Sequence, residues 1–169
     1  MKPPRLIVMT GAESSGKTTL GECLAERLGA LFVPEASRDL LTPGAPYDEH
    51  DIIRIGQEQV RREEAAVQAT PDWVVADTDL LVLRIWLAER FGLWPDTLGI
   101  LWQKAAPRLY VLTAPEMPWE PDPLRENSHD RERLHARYRE WLVENNSAFI
   151  EVRGSVEERV DQVLAQIGL

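Results

Sequence analysis

The chain holds one cysteine, three lysines and three histidines, and no apolar run near the length of a membrane span. Each scarcity excludes something. A single thiol forms no internal disulfide. The spacing of Cys23 with Leu20, Leu24 and Leu28 predicts a buried structural thiol on the apolar face of a helix rather than a nucleophile. The apolar stretches fall well short of the roughly 20 residues that cross a bilayer, and the strand after Met1-Lys2-Pro3-Pro4-Arg5 is too short for a signal h-region. A soluble, cytoplasmic protein is expected. His50, His129 and His135 lack metal-ligand spacing, so no zinc site is expected. Basic residues are scarce as well: 19 Lys+Arg against 28 Asp+Glu leave a net charge of −9, with a pI near 4.9. That balance disfavours nucleic acid or an anionic membrane as partner. Apart from Lys2, Lys17 and Lys104, arginine carries the positive charge. With 169 residues, no internal repeat and no low-complexity tract, the chain reads as one domain spanning 1–169, large enough to bury a core without disulfides or metals.

What is present centres on Gly11-Ala12-Glu13-Ser14-Ser15-Gly16-Lys17-Thr18, which fits G-x-x-x-x-G-K-[ST]. It follows the apolar run Leu6-Ile7-Val8-Met9 and leads into a helical pattern, the strand–loop–helix context that the motif needs. Glycines let successive backbone N–H groups turn inward on an anion. Lys17 offers a point charge to the β- and γ-phosphates, Thr18 offers a hydroxyl to Mg²⁺, and the following helix adds its positive N-terminal end. Gly11, Glu13, Ser14, Ser15, Gly16, Lys17, Thr18 and Thr19 are thus the expected cradle of a nucleoside triphosphate. No Asn-Lys-x-Asp occurs, so the guanine-reading signature is missing and ATP is the expected nucleotide.

Around this motif short apolar strands alternate with helical patterns. Strands are expected at 5–10, 30–33, 73–77, 108–113 and 148–152, and helices at 17–28, 48–69, 80–91, 96–106, 130–144 and, behind the capping box Ser155-Val156-Glu157-Glu158, up to 167. Residues 36–48, with Pro43, Gly44 and Pro46, and the Pro-rich stretch 114–123 are expected as loops. This alternation predicts an α/β fold of the P-loop NTPase kind: a five-stranded parallel sheet in the order 2-3-1-4-5, flanked by helices, with a lid at about 114–133.

Ligands in such sheets sit beyond the carboxyl ends of the strands. Glu35 ends the second strand and Asp77 the third, with Asp79 two residues on. Phosphoryl transfer has two tasks for carboxylates, meeting the acceptor hydroxyl and holding Mg²⁺. Asp77 is expected at the metal with Thr18, and Glu35 at the acceptor with Arg38 within reach. Two readings stand for Asp79, an acceptor ligand or the N-cap of the next helix. Of the clustered arginines, Arg131 falls on the apolar stripe of Leu134, Tyr138 and Leu142, whereas Arg133 and Arg137 face away as a solvated surface. Arg125 and Arg131 are therefore expected as lid arginines over the transferring phosphoryl group, a solvated helix face being the other reading. Trp119, between Glu116, Glu120 and Asp122, either stacks on a planar, cationic ligand ring or anchors its loop on the core.

Gly11 to Thr18, Val33-Pro34-Glu35-Ala36-Ser37-Arg38, Ala76-Asp77-Thr78-Asp79 and Leu112 to Arg125 together resemble, in the same order, the ribosylnicotinamide kinase domain of bifunctional bacterial NAD-salvage and regulatory proteins. The similarity runs from the first strand to the turn at Arg153-Gly154. The resemblance implies ATP-dependent phosphorylation of nicotinamide riboside at its 5′-hydroxyl, giving nicotinamide mononucleotide. It puts Glu35, Arg38, Asp77 and Asp79 around the acceptor and Mg²⁺, accounts for the acidic surroundings of Trp119 through the cationic nicotinamide ring, and places the Gly154-Ser155 turn near adenine. Full-length relatives carry an adenylyltransferase domain, and often a DNA-binding domain, ahead of the kinase. This chain starts on the first strand, so adenylyl transfer and repressor activity are not expected of it. A kinase for another nucleoside or riboside, a nucleotide-dependent regulatory ATPase and a binding module remain open alternatives.

Overall fold

Leu6, Ile7, Val8, Met9 and Thr10 form strand β1, Leu6–Thr10, and every one of them is buried. A strand buried on both faces must lie inside a sheet with a layer on either side. In the computed structural model, which describes residues 6–69, 72–121 and 130–169, that is the arrangement. The elements follow as β1, helix α1 (Lys17–Leu28), β2 (Leu31–Val33), α2 (Ser37–Leu40), α3 (Glu49–Ala69), β3 (Val74–Asp77), α4 (Leu80–Phe91), α5 (Asp96–Lys104), β4 (Arg108–Thr113), α6 (Arg131–Glu144), β5 (Phe149–Val152) and α7 (Val156–Ile167). The strands form one sheet in the order β2-β3-β1-β4-β5, and every pair is parallel.

Side chains alternate across β1, as the period of a strand requires. Leu6 and Val8 join Ala76, Leu112, Leu134 and Tyr138 on one face, and Ile7 and Met9 join Leu20, Leu24, Val111, Val160 and Val163 on the other. Truncating Ile7, which is wholly buried, to alanine would cost about 2–5 kcal/mol. A third cluster of Ile52, Ile55, Leu80, Leu87 and Leu98 packs α3 against α4 and α5. Gly56 permits that contact, because a Cβ there would stand 2.6 Å from Leu98 Cδ2.

The expected elements are present with small shifts at their ends. One expectation is corrected: the 36–48 loop contains the single-turn helix α2, which starts one residue beyond Ala36, the neighbour of Glu35. The Ser155–Glu158 capping box is formed at α7. Register brings the strand ends level, with Met9 paired to Asp77 and Thr10 to Leu112. The loops after β1, β3 and β4 therefore meet along one edge of the sheet.

Candidate active site

The loop after β1 is shaped by close contact with β4. Gly11 has φ +134, and a Cβ on it would stand 2.8 Å from Thr113 Oγ1 and 3.0 Å from Thr113 O, so only glycine fits. The Thr113 hydroxyl donates to Thr10 O at 3.1 Å, Ser15 Oγ donates to Ala12 O at 2.7 Å, and the two hydroxyls meet each other. Ser14 and Gly16 both take left-handed backbone, φ 52 and 86, which gathers N–H groups on one side of the loop. Helix α1 starts at Lys17 and points its N-terminus into that concavity. Lys17 Nζ bonds the loop's own carbonyls, Gly11 O at 3.0 Å and Ala12 O at 2.7 Å.

One residue on, Thr18 Oγ1 donates to Asp77 Oδ2 at 2.6 Å. Asp77 is 3% exposed, and burial raises its carboxyl, opposed by the Thr18 hydroxyl and the Lys17 charge. Its other oxygen, Oδ1, is buried without a hydrogen-bond partner among the described residues. A carboxylate oxygen in want of a partner next to a hydroxyl oxygen is a donor set that suits a hard divalent cation such as Mg²⁺. No cluster of three or more His, Cys, Asp or Glu able to hold a metal occurs among the described residues.

A cavity of about 330 Å³ opens from the loop. It brings together Gly11 to Thr19 at one end and Glu35 with Arg38 at another, while Val82, Ile85, Trp86, Glu89, Leu134 and Tyr138 form the walls. Glu35 accepts from the Ser37 hydroxyl of α2 and from Arg38 Nε at 3.4 Å. Val82, Ile85, Trp86 and Glu89 follow the helical spacing along α4, so one face of that helix makes the wall. Asp77, Asp79, Trp119, Arg131, Gly154 and Ser155 lie outside the lining.

The acceptor role expected for Asp79 is corrected. Its side chain is inaccessible, Oδ1 caps α4 by accepting from Leu81 N at 2.8 Å, and Oδ2 accepts from Arg108 Nη1 at 2.9 Å and Tyr110 OH at 2.8 Å. Arg108 also holds Glu63 Oε2 at 2.9 Å. The buried amide of Gln59 completes this network: its Oε1 accepts from Ala36 N at 3.0 Å and its Nε2 donates to Thr78 O at 3.3 Å. One side chain thus ties the residue after Glu35 to the residue after Asp77. Gln59 and Glu63 were not anticipated from sequence; the visible signal was polar residues, four apart, on the apolar stripe of α3.

The Pro-rich segment covers the phosphate loop. Glu120 N donates to Ser14 Oγ at 3.1 Å, and Arg131 Nη1 reaches Met117 O at 2.6 Å and Ser14 O at 3.2 Å. Arg131 lies where its place on the apolar stripe put it, and in this structure its guanidinium clasps the segment to the loop. Arg125 lies outside the described residues. Trp119 is half-buried, with its indole N–H lacking a hydrogen-bond partner among the described residues. Arg133 and Arg137 stand on the exposed helix face expected of them (47% and 45% exposed), and from there they pair with Glu89 Oε2 and Oε1 at 2.7 Å each. The Arg133 hydrogen bond is the main cause holding the Glu89 carboxyl below its ordinary range. The Gly154-Ser155 turn is held by Glu116, whose Oε2 accepts from Gly154 N at 2.9 Å, and Val156 beside it lines the cavity.

A parallel sheet ordered β2-β3-β1-β4-β5, with this loop between β1 and α1, is the P-loop NTPase architecture. The profile of a family described as an AAA domain matches residues 6–159, and the chain belongs to that family. Comparison with curated proteins finds no match. Among solved structures, NadR protein in complex with NR is similar at a TM-score of 0.74 and 19% identity, over 98% of this chain and 52% of that one. This chain therefore spans about half the length of NadR. Thymidylate kinase from Ehrlichia chaffeensis is similar at 0.72 and 14% identity, over 99% and 100% of the two chains. Shikimate kinase from Acinetobacter baumannii, in complex with shikimate, follows at 0.63 and 18%, over 98% and 93%.

Proposed function

We propose that this chain is an ATP-dependent kinase of a small-molecule alcohol, with nicotinamide riboside as the first acceptor to test and its 5′-hydroxyl as the group phosphorylated. The observation that carries the proposal is the cavity itself. A triphosphate cradle ending at Thr18 shares one space with the Glu35–Arg38 pair and a chamber walled by Trp86, Tyr138 and aliphatic side chains. Hydrolysis needs no such chamber; a planar, nucleoside-like acceptor does. The fold shared with NadR protein in complex with NR supports the choice of acceptor, and the fold shared with thymidylate and shikimate kinases supports the reaction class.

The residues divide the work. The loop N–H groups and the α1 N-terminus orient the phosphates, and Lys17 exchanges its own-loop carbonyls for phosphate oxygens. Thr18 and Asp77 would hold Mg²⁺, which when bound neutralises charge on the β- and γ-phosphates. Glu35, steadied by Ser37 and Arg38, accepts the hydrogen of the acceptor hydroxyl and turns its oxygen toward the γ-phosphorus. Arg131 and, from the lid, Arg125 add positive charge on closure and exclude water.

The test is ADP release from Mg-ATP across a panel of nucleosides and small alcohols including nicotinamide riboside. Strong, selective stimulation by nicotinamide riboside supports the full proposal. Stimulation by another nucleoside keeps the kinase and replaces the acceptor. Release that no acceptor changes would point instead to a regulatory ATPase, and no release at all to a binding module.

A further inference from the structure

Helix α7 buries Val160 and Val163 on the sheet and, on the same face, Arg159 at 0% exposure. An apolar residue there would continue the stripe. Replacing buried ionic groups by apolar ones of similar volume is often neutral or stabilising, so packing alone does not call for this arginine. Its planar fork is spent on backbone carbonyls, two from loops distant in sequence and one from the turn that leads into α7 itself. Nη1 donates to Ser15 O in the phosphate loop at 2.7 Å, Nη2 to Ala114 O after β4 at 3.3 Å, and Nε to Gly154 O after β5 at 2.9 Å. Nη2 also meets Glu116 Oε2 at 3.2 Å, the oxygen that accepts Gly154 N at 2.9 Å. Gly154 is therefore gripped at both its C=O and its N–H. The guanidinium lies close behind the loop's second glycine: a Cβ on Gly16 would stand 3.6 Å from Arg159 Nη1.

We propose that Arg159 is a positioning residue for the nucleotide: one buried cation locks the phosphate loop and the β5–α7 turn into a single rigid unit, with its charge set behind the polyanion's cradle. Both parts border the same cavity, through Gly16 and Val156. A triphosphate at the loop and the nucleoside attached to it then meet surfaces already at their working separation, so less ordering is left for binding to impose. Lysine cannot substitute, because a compact ammonium does not reach carbonyls spread around a planar fork. The inference rests on the proposed nucleotide site but not on the acceptor.

The experiment is calorimetric binding of Mg-ATP to the whole protein and to Arg159→Met, Arg159→Lys and Glu116→Gln, with acceptor KM measured for the acceptor found active. Arg159→Met is expected to weaken Mg-ATP by about tenfold to a hundredfold, the scale of lost charge-assisted hydrogen bonds, with acceptor KM within about twofold. Arg159→Lys should regain only part of the loss. Glu116→Gln, which keeps the guanidinium and loosens one partner, should weaken Mg-ATP by about threefold. If Arg159→Met does not fold, the other two variants decide. Wild-type Mg-ATP affinity in the folded variants overturns the proposal, and so does a parallel loss for ATP and acceptor, which marks a general structural role. Wild-type protein that binds Mg-ATP but phosphorylates nothing sinks the kinase reading and leaves this test intact.

Discussion

The hydroxyl of Thr18 donates to Asp77 at 2.6 Å and joins the first turn of α1 to the end of β3. The partner it serves is a carboxylate with one oxygen satisfied and the other buried without a hydrogen-bond partner among the described residues. Asp77→Asn keeps the size and takes away the charge. It should lower kcat by about a hundredfold or more while leaving metal-free ATP binding close to wild type. Equal losses with and without Mg²⁺ would show that Asp77 supports the loop and not the metal.

Lys17 sits on Gly11 and Ala12 carbonyls and has to change partners when phosphate arrives. Lys17→Ala should reduce turnover by about 10²–10³, with an unchanged melting temperature. Activity near wild type would remove Lys17 from the reaction.

Gln59 spans the residues that follow Glu35 and Asp77. Gln59→Met matches its length and makes neither bond, so the two carboxylates lose their fixed separation. A kcat reduced by about tenfold or more, with the KM for ATP steady, is the expected split. A drop in melting temperature with wild-type kinetics would confine Gln59 to stability.

Glu63 is pushed up to about 7 by burial and, less, by Asp79, with Arg108 and the Gln59 amide pulling the other way. Because the folded chain holds this proton above the ordinary 4.5, the stability contributed is complete at low pH and is lost as pH rises through about 7. Thermal melts should therefore show a decline in stability from about pH 5 to pH 7.5 that is smaller in Glu63→Gln. The same decline in both proteins would mean that other groups cause it.

Trp86, and not Trp119, lines the cavity, held by its indole N–H to Tyr47 OH at 2.9 Å. Trp86→Ala should raise acceptor KM well above any change in ATP KM, whereas Trp119→Ala should move neither by more than about twofold. The reverse order would restore the stacking reading of Trp119.

The strands were legible because each is a short apolar run between breakers: Arg108 to Thr113 was read at its observed bounds. The capping box declared the start of α7 by its own residues. Helix α2 was hidden because a single turn has no periodicity and Pro43, Gly44 and Pro46 follow it closely. Asp79 stayed ambiguous because a helix cap and an acceptor ligand call for the same residue type. Arg159, Gln59 and Glu89 escaped for a shared reason. Local spacing shows that a polar residue interrupts a buried face, but its partner is set by topology, as Ser15 is for Arg159 and Arg133 for Glu89.

The central place of β1 also bears on how the chain assembles. Leu6 pairs with Val74 on one side and Arg108 on the other, so the strand nearest the start waits for the middle of the chain before it has any neighbour. Closing such long loops must precede most of the apolar gain, which slows folding relative to a helical bundle of the same size. Until then Leu6 to Met9 is a bare apolar segment able to pair with another copy of itself. Refolding at high concentration should therefore lose more material to aggregation than refolding at low concentration. Weakening the β1–β4 pairing should slow folding, whereas weakening the edge strand β2 should mainly hasten unfolding.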